Sequence, residues 1–244
     1  MKWGIFLAIV TLAAAPVCAA HGQIRPFNYR FKNKYADIDF SWSREAAAVP
    51  ALVKRFRAEL AKSKADTIAG GKEDYALRQI GWESSTKVTT SGQSPRVLSL
   101  SREDWEFTGG AHGNGGTTGL LWDRRLNKEI KFAALFSSAS SYASVLRPPY
   151  CRALNQERVK RRGGDGKLNN GIGEFDSCPK LSDLAIIPAD SHRDGRFDEI
   201  HLIASPYLAG PYAEGEYDIT LPVRQALIGL LKPEYRSSFE PQRQ

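Results

Sequence analysis

Nine residues, Thr108-Gly109-Gly110-Ala111-His112-Gly113-Asn114-Gly115-Gly116, gather five glycines around one histidine. Glycine tolerates positive φ and lets a ligand or another chain approach the peptide plane, at an entropic cost that a merely solvated loop has no reason to carry. Two roles fit His112. It is a general base or ligand contact, or it is a hydrogen-bonded residue that locks the loop to a neighbouring strand. Gly109, Gly110, His112, Gly113 and Asn114 are the candidate ligand-binding residues here. A phosphate cradle is disfavoured, because no Lys-Ser/Thr pair follows the glycines and no helix is expected after them. A second stretch, Ser205 to Gly215, carries Tyr207 and Tyr212 on a backbone stiffened by Pro206, Gly210 and Pro211. Flat amphipathic rings on such a loop suit sugar or protein surfaces at low entropic cost. The competing role is a tyrosine that closes a core edge with its hydroxyl tied to backbone. Tyr207, Pro211 and Tyr212 complete the candidate binding set.

Other chemistry is thinly represented. There is no G-x-S-x-G, no H-E-x-x-H and no unbonded thiol beside a histidine, so no catalytic residue is assigned and enzymatic activity is left open, leaning against. The neighbours Glu103-Asp104 and Asp198-Glu199 fall on or beside expected strands, where consecutive side chains point to opposite faces and cannot work as one acid/base pair. Asp190, His192, Asp194 and Gly195 resemble the start of a calcium loop. The twelfth position, however, is His201 where a bidentate Glu is required, so no metal ligands are assigned. No cofactor is expected. The Lys- and Arg-rich run from Arg147 to Arg162 reads as the solvated side of a helix. Cys151 and Cys178 match neither a C-x-x-C nor a zinc spacing and are expected to pair. Closing a loop of about 28 residues would stabilise the fold by roughly 3–4 kcal/mol.

The elements that must position these residues follow from the rest of the 244-residue chain, which is 42% hydrophobic and 25% charged with a net charge of +7. That charge excess is mild and does not argue for nucleic acid. Lys2, an apolar run from Trp3 to Ala15, Pro16 and the small residues Ala19 and Ala20 read as a signal peptide over residues 1–20, with Cys18 leaving in it. A periplasmic or secreted location follows, with no stable membrane span, since the apolar run is too short to cross a bilayer. Alternating residues around Phe27–Phe31 and Ile38–Trp42 predict two strands. Leu52, Val53, Phe56 and Leu60 predict a helix that Pro50 opens and Gly70-Gly71 ends. Strands are then expected at 75–90, 96–108 and 117–123, a helix over 140–162 broken at Pro148-Pro149, strands at 181–187, 197–204 and 217–221, and a closing helix at 222–231. The fold class is α+β, as two adjoining subdomains of mostly antiparallel strands with a few packing helices, divided as 21–120 and 121–244.

The run Trp105 to Asn114, then Thr117-Thr118-Gly119 leading into Trp122-Asp123, Ile130-Lys131 and Leu135-Phe136, resembles the extracytoplasmic domain shared by PdaC-type peptidoglycan deacetylases and RsiV-type lysozyme-sensing anti-sigma factors. Pro206-Tyr207 followed by Gly210 to Gly215 resembles the second signature of the same family, and order and spacing agree over roughly residues 24 to 232. The resemblance implies an α+β module in two parts, a PdaC-like half ending at the Gly-Gly-Ala-His-Gly loop and an RsiV-like half after it. Neither a deacetylase domain after Gln244 nor a membrane-spanning or sigma-binding segment is found, so recognition is the property expected to carry over. The expectation is an exported cell-envelope binding module for a lysozyme-like protein or a peptidoglycan glycan. The alternative is an envelope polysaccharide hydrolase or deacetylase that uses His112.

Overall fold

The computed structural model describes residues 23–138, 140–163 and 173–243; the leader read at residues 1–20 lies outside them. The chain folds as α+β around two sheets. The first has six strands in sequence order: β1 (Phe27–Lys32), β2 (Ala36–Trp42), β3 (Trp82–Gln93), β4 (Val97–Phe107), β5 (Asn114–Asp123) and β6 (Lys128–Ile130). The second has three, β7 (Ala185–Ala189), β8 (Glu199–Ala204) and β9 (Tyr217–Pro222). Every pairing is antiparallel except β2 with β3. A parallel pair needs a crossover, and it is made by α1 (Arg44–Ala47) and the long α2 (Pro50–Arg78). Asn33 turns the chain between β1 and β2, its side-chain oxygen accepting from the N–H groups of Tyr35 and Ala36.

Leu52, Phe56 and Leu60, spaced four apart on α2, pack onto one face of the first sheet, against Ile38, Phe40, Trp42, Leu98, Leu100 and Leu120. The opposite face of β4 and β5 belongs to a second core. Val97 and Leu121 join Leu146, Tyr150 and Leu154 of α3 (Ser141–Arg161), Ile200 and Leu202 of β8, and Leu227 of α4 (Gln225–Leu230). A last short helix, α5 (Pro233–Arg236), follows. Consecutive residues of β5 therefore serve different cores, Leu120 and Trp122 the first and Leu121 the second. The division expected between residues 120 and 121 falls inside this strand.

Three local expectations are corrected. α2 does not end at Gly70-Gly71 but runs to Arg78, so Tyr75–Arg78 is helix rather than strand, with left-handed Gln79 as its cap. The glycines serve close approach instead: a Cβ on Gly71 would sit 2.0 Å from the Tyr35 carbonyl oxygen, and one on Gly70 2.3 Å from the Trp82 ring. Pro148-Pro149 do not break α3, because the buried stripe Leu146, Tyr150, Leu154 spans them and its burial outweighs the two lost donors. Finally, Arg147–Arg162 is not simply a solvated face, since Arg158 is wholly buried and the Arg162 side chain is only 4% exposed. Among the described residues no helix is long and apolar enough to cross a membrane.

Candidate functional site

The Gly-His loop joins β4 to β5, and the tyrosine loop joins β8 to β9; the fold brings them together. The Tyr212 hydroxyl donates to the Gly113 carbonyl at 2.7 Å, across 99 residues of sequence. The same carbonyl accepts from His112 Nδ1 at 2.7 Å, and the His112 ring stacks on Tyr212 with centroids 3.7 Å apart and planes 17° from parallel. With the Nδ1 proton committed to a carbonyl, the neutral imidazole presents Nε2 as an acceptor. Tyr207 extends the aromatic group, its centroid 5.8 Å from that of Tyr212 and its side chain 55% exposed. Trp105, absent from the expected set, lies across Gly113, where a Cβ would meet the indole at 2.3 Å. Gly113 is thus required by contact with an aromatic neighbour.

Between Trp105 and Tyr212 opens a groove of about 580 Å³ floored by Gly115, Gly116 and Thr117 of β5. β6 pairs only with Leu121–Asp123, so the earlier part of β5 is a sheet edge. Glu216 occupies part of that edge, its carboxylate accepting from the Thr117 N–H at 2.7 Å and from the Thr117 hydroxyl at 2.8 Å. Among the described residues, Glu103, Asp104, Glu214 and Glu216 line the groove, and no Lys or Arg does. It continues along the β1–β4 face past Asp37, Asp39 and Glu83, where Arg30 and Lys87 are interspersed.

The tyrosine loop is pinned from behind by the last turns of α3. Arg161 donates to the carbonyls of Glu214 at 2.6 Å and Glu216 at 2.7 Å, with its guanidinium 4.0 Å from the centre of the Tyr217 ring. Arg162 holds the Glu214 carboxylate at 2.9 Å and the Asp176 carboxylate at 2.9 Å. Burial works to raise the Glu214 carboxyl, but hydrogen bonds from Arg162 and Tyr217 outweigh it and keep it below the usual carboxylate range. Tyr217, buried and donating to Glu214, is pushed up to about 12. Cys151 and Cys178 are bonded, as expected, with Cα atoms 5.6 Å apart.

The eight candidate binding residues are only partly gathered. His112, Gly113, Tyr207 and Tyr212 meet, with Pro211 capping the short 3-10 turn Tyr212–Glu214. Gly109 lies instead against the Arg78 guanidinium at the end of α2, with φ 84°, and Gly110 has φ 117° with open space around it. Asn114 lines a polar cleft with Glu59, Ser63 and Arg102 that adjoins the groove along Asp104, Trp105, Gly115 and Gly116. Among the described residues no group of three or more acidic, His or Cys side chains could hold a metal ion. Ser191, His192 and Asp198 invite comparison with a hydrolytic triad, but their geometry differs. The serine hydroxyl and His192 Nδ1 both converge on the same Asp198 oxygen, which fastens the turn before β8 and leaves no imidazole nitrogen between acid and serine. Sequence reasoning missed Trp105, Glu103, Asp104, Glu214 and Glu216 as site residues; the available signal was a Trp set between Asp104 and Glu106 in a strand.

The architecture is similar to that of a DUF3298 family protein from Pseudomonas aeruginosa PAO1, with TM-score 0.53 and 16% identity over 90% of this chain and 98% of that one. A member of the DUF3298 family from Bacteroides fragilis NCTC 9343 overlays with TM-score 0.49 and 15% identity, covering 88% of this chain and 96% of that one. No family model matches the sequence, and no curated protein matches it. The chain shares its fold with the Pseudomonas protein. The Pseudomonas protein is described as a DUF3298 family member, with no deacetylase or anti-sigma-factor role named for it.

Proposed function

We propose that this protein is an exported binding module of the cell envelope that recognises a lysozyme-like protein or a peptidoglycan glycan through the joined Gly-His and tyrosine loops. The observation that carries the reading is the Tyr212–Gly113 hydrogen bond with the His112–Tyr212 stack, which makes one aromatic platform from two distant segments. Exposed aromatic rings on rigid turns give contact area at low entropic cost. Of the two ligand classes, the protein is favoured. Among the described residues the groove beside the platform is lined by four carboxylates, of which Glu103, Asp104 and Glu214 are paired with Lys87, Arg102 and Arg162 at its margins; a lining of acceptors with no Lys or Arg facing in suits a basic protein surface better than an anionic glycan. The disulfide and the absence of a membrane-crossing helix among the described residues are compatible with export.

The alternative reading, an envelope hydrolase or deacetylase centred on His112, has less support. Among the described residues His112 makes no hydrogen bond to a carboxylate that could orient it as a general base; its Nδ1 is spent on a backbone carbonyl. A pull-down of the disulfide-bonded chain against c-type lysozyme and against purified peptidoglycan, repeated with Tyr212→Ala and Trp105→Ala, tests the proposal. Retention on lysozyme that either substitution weakens at least about tenfold, a loss of ~1.4 kcal/mol or more, is the expected result. Retention on neither material defeats the proposal. Turnover of an envelope polysaccharide that His112→Ala abolishes, without loss of fold, would put the hydrolase in its place.

A further inference from the structure

Among the described residues Arg158 is the largest fully buried side chain, and every hydrogen bond its guanidinium donates to them goes to an amide oxygen. Nε donates to the Ala209 carbonyl at 2.9 Å, in the tyrosine loop. The two terminal nitrogens reach the Asp176 carbonyl at 3.2 Å, the Ser177 carbonyl at 3.0 Å and the Asn155 side chain at 3.2 Å. One buried cation therefore joins three parts of the chain: α3, the segment just before Cys178, and the loop that carries Tyr207 and Tyr212. Burial depresses the pKa of this guanidinium, the direction expected of a charge removed from water.

The segment at 176–178 belongs to no helix or strand. It lies along α3 because side chains on one stripe of that helix hold it. Cys151 is bonded to Cys178, Arg147 donates to the Cys178 carbonyl at 3.2 Å, and Arg158 and Arg162 grip Ser177 and Asp176. Cys151, Asn155, Arg158 and Arg162 are spaced four, three and four apart, the spacing of a single helix face. The covalent bond is the one tether in this set that water cannot replace.

We propose that the Cys151–Cys178 disulfide is a redox latch on the recognition face: it keeps the Asp176 and Ser177 carbonyls under Arg158, and through Arg158 it orders the Tyr207–Tyr212 loop. The regulatory meaning rests on the reading of that face as the docking surface. The reductant is a small dithiol. One of its thiolates attacks a sulfur of the bridge, giving a mixed disulfide and releasing the other cysteine as a thiolate that takes up a proton. The second thiol of the reductant then displaces the remaining cysteine. Two electrons and two protons pass to the protein, leaving Cys151 and Cys178 as thiols and the reductant as its own cyclic disulfide. Both cysteines are only half-buried, so the bridge is within reach of such a reagent.

Once the tether is cut, the 176–178 segment exchanges its contacts with α3 for water. The Arg158 charge then lacks two of its acceptors in an apolar setting and must be hydrated. Water drawn in beside the guanidinium competes for the Ala209 carbonyl, three residues before Tyr212. The helix-covered face of the first sheet does not share this dependence, because its core contains no residue of the segment, whereas Cys178 packs against the second core.

Hydrogen exchange on the full chain tests the latch without a ligand. Four forms are compared: disulfide-bonded, reduced with dithiothreitol, the Cys151→Ser/Cys178→Ser double variant, and Arg158→Lys with the disulfide intact. Lysine keeps the charge but cannot bridge the separate acceptors. The expected result is that amides at 205–216 exchange at least about tenfold faster in the last three forms, with β2–β4 still protected. Unchanged exchange at 205–216 on reduction overturns the proposal. So does loss of protection at β2–β4 together with the loop, or an Arg158→Lys loop as protected as in the parent. Retention on c-type lysozyme, measured in parallel, separates the two ideas. Loop exchange that follows the expected pattern supports the latch even where no form binds lysozyme or peptidoglycan, and that lack of binding defeats the docking reading alone.

Discussion

Tyr207 holds φ at 70° with its ring 55% exposed, a backbone conformation that a bulky residue adopts only under constraint from its surroundings. The turn is closed by its own N–H, which donates to the Gly210 carbonyl at 3.0 Å. Replacement by glycine removes the left-handed penalty, so Tyr207→Gly is expected to raise stability by about 1 kcal/mol, or ~2–4 °C in thermal midpoint by calorimetry, while lowering retention on the ligand. A variant more stable and less retentive places this residue on the side of recognition; one less stable places it on the side of the scaffold. At this scale the sequence is informative where a residue type is out of keeping with its surroundings. His112 among glycines and two tyrosines on a Pro/Gly loop were such cases, and the structure joins them. Arg158 was illegible for the opposite reason. A buried arginine in a helix of mixed charge has no hydrophobic signature, and three of its four acceptors are backbone oxygens that leave no trace in the side-chain pattern.

The helices were where pattern and packing disagreed most. Two consecutive glycines normally argue for the end of a helix, yet α2 continues for seven residues past Gly71 because the glycines let Tyr35 and Trp82 lie directly on its backbone. Helix propensity alone predicts that Gly71→Ala stabilises by up to ~1 kcal/mol. Contact predicts the reverse: with the Tyr35 carbonyl 2.0 Å from the new Cβ, the substitution is expected to cost about 3 kcal/mol and to lower the thermal midpoint correspondingly. Denaturant titration decides between the two signs. The strands were more legible, since alternation at Phe27–Phe31 and Ile38–Trp42 reports a face packed on a core and a face in water. What alternation could not convey is that β2 and β3 run parallel, or that β4 and β5 are packed on both faces. Those facts depend on where α2 and the second sheet come to rest.

Stability of the whole molecule should carry a pH signature from β8 and β9. His201 Nδ1 lies 3.1 Å from the Asp218 carboxylate, with Thr220 beside it. The hydrogen bond that His201 donates to the Asp218 carboxylate raises its pKa above the ordinary 6.5, against a smaller effect of burial, and the charge of Glu199 adds to the rise. The folded state thus binds the proton more tightly than the unfolded state. The resulting stabilisation is complete below about pH 6.5 and is lost as pH climbs through the raised value. Thermal midpoints measured across that interval should fall in the parent and stay flatter in Asp218→Asn; equal slopes would remove the pair from the account. A different consequence attaches to the β4–β5 wall, whose two sides are claimed by separate cores. Gly119 lets the second sheet lie so near that a Cβ there would be 2.9 Å from the Ile186 oxygen. Produced without the second sheet, the first would carry Val97 and Leu121 as a bare greasy panel on the back of β4 and β5, so it is expected to aggregate rather than stand alone.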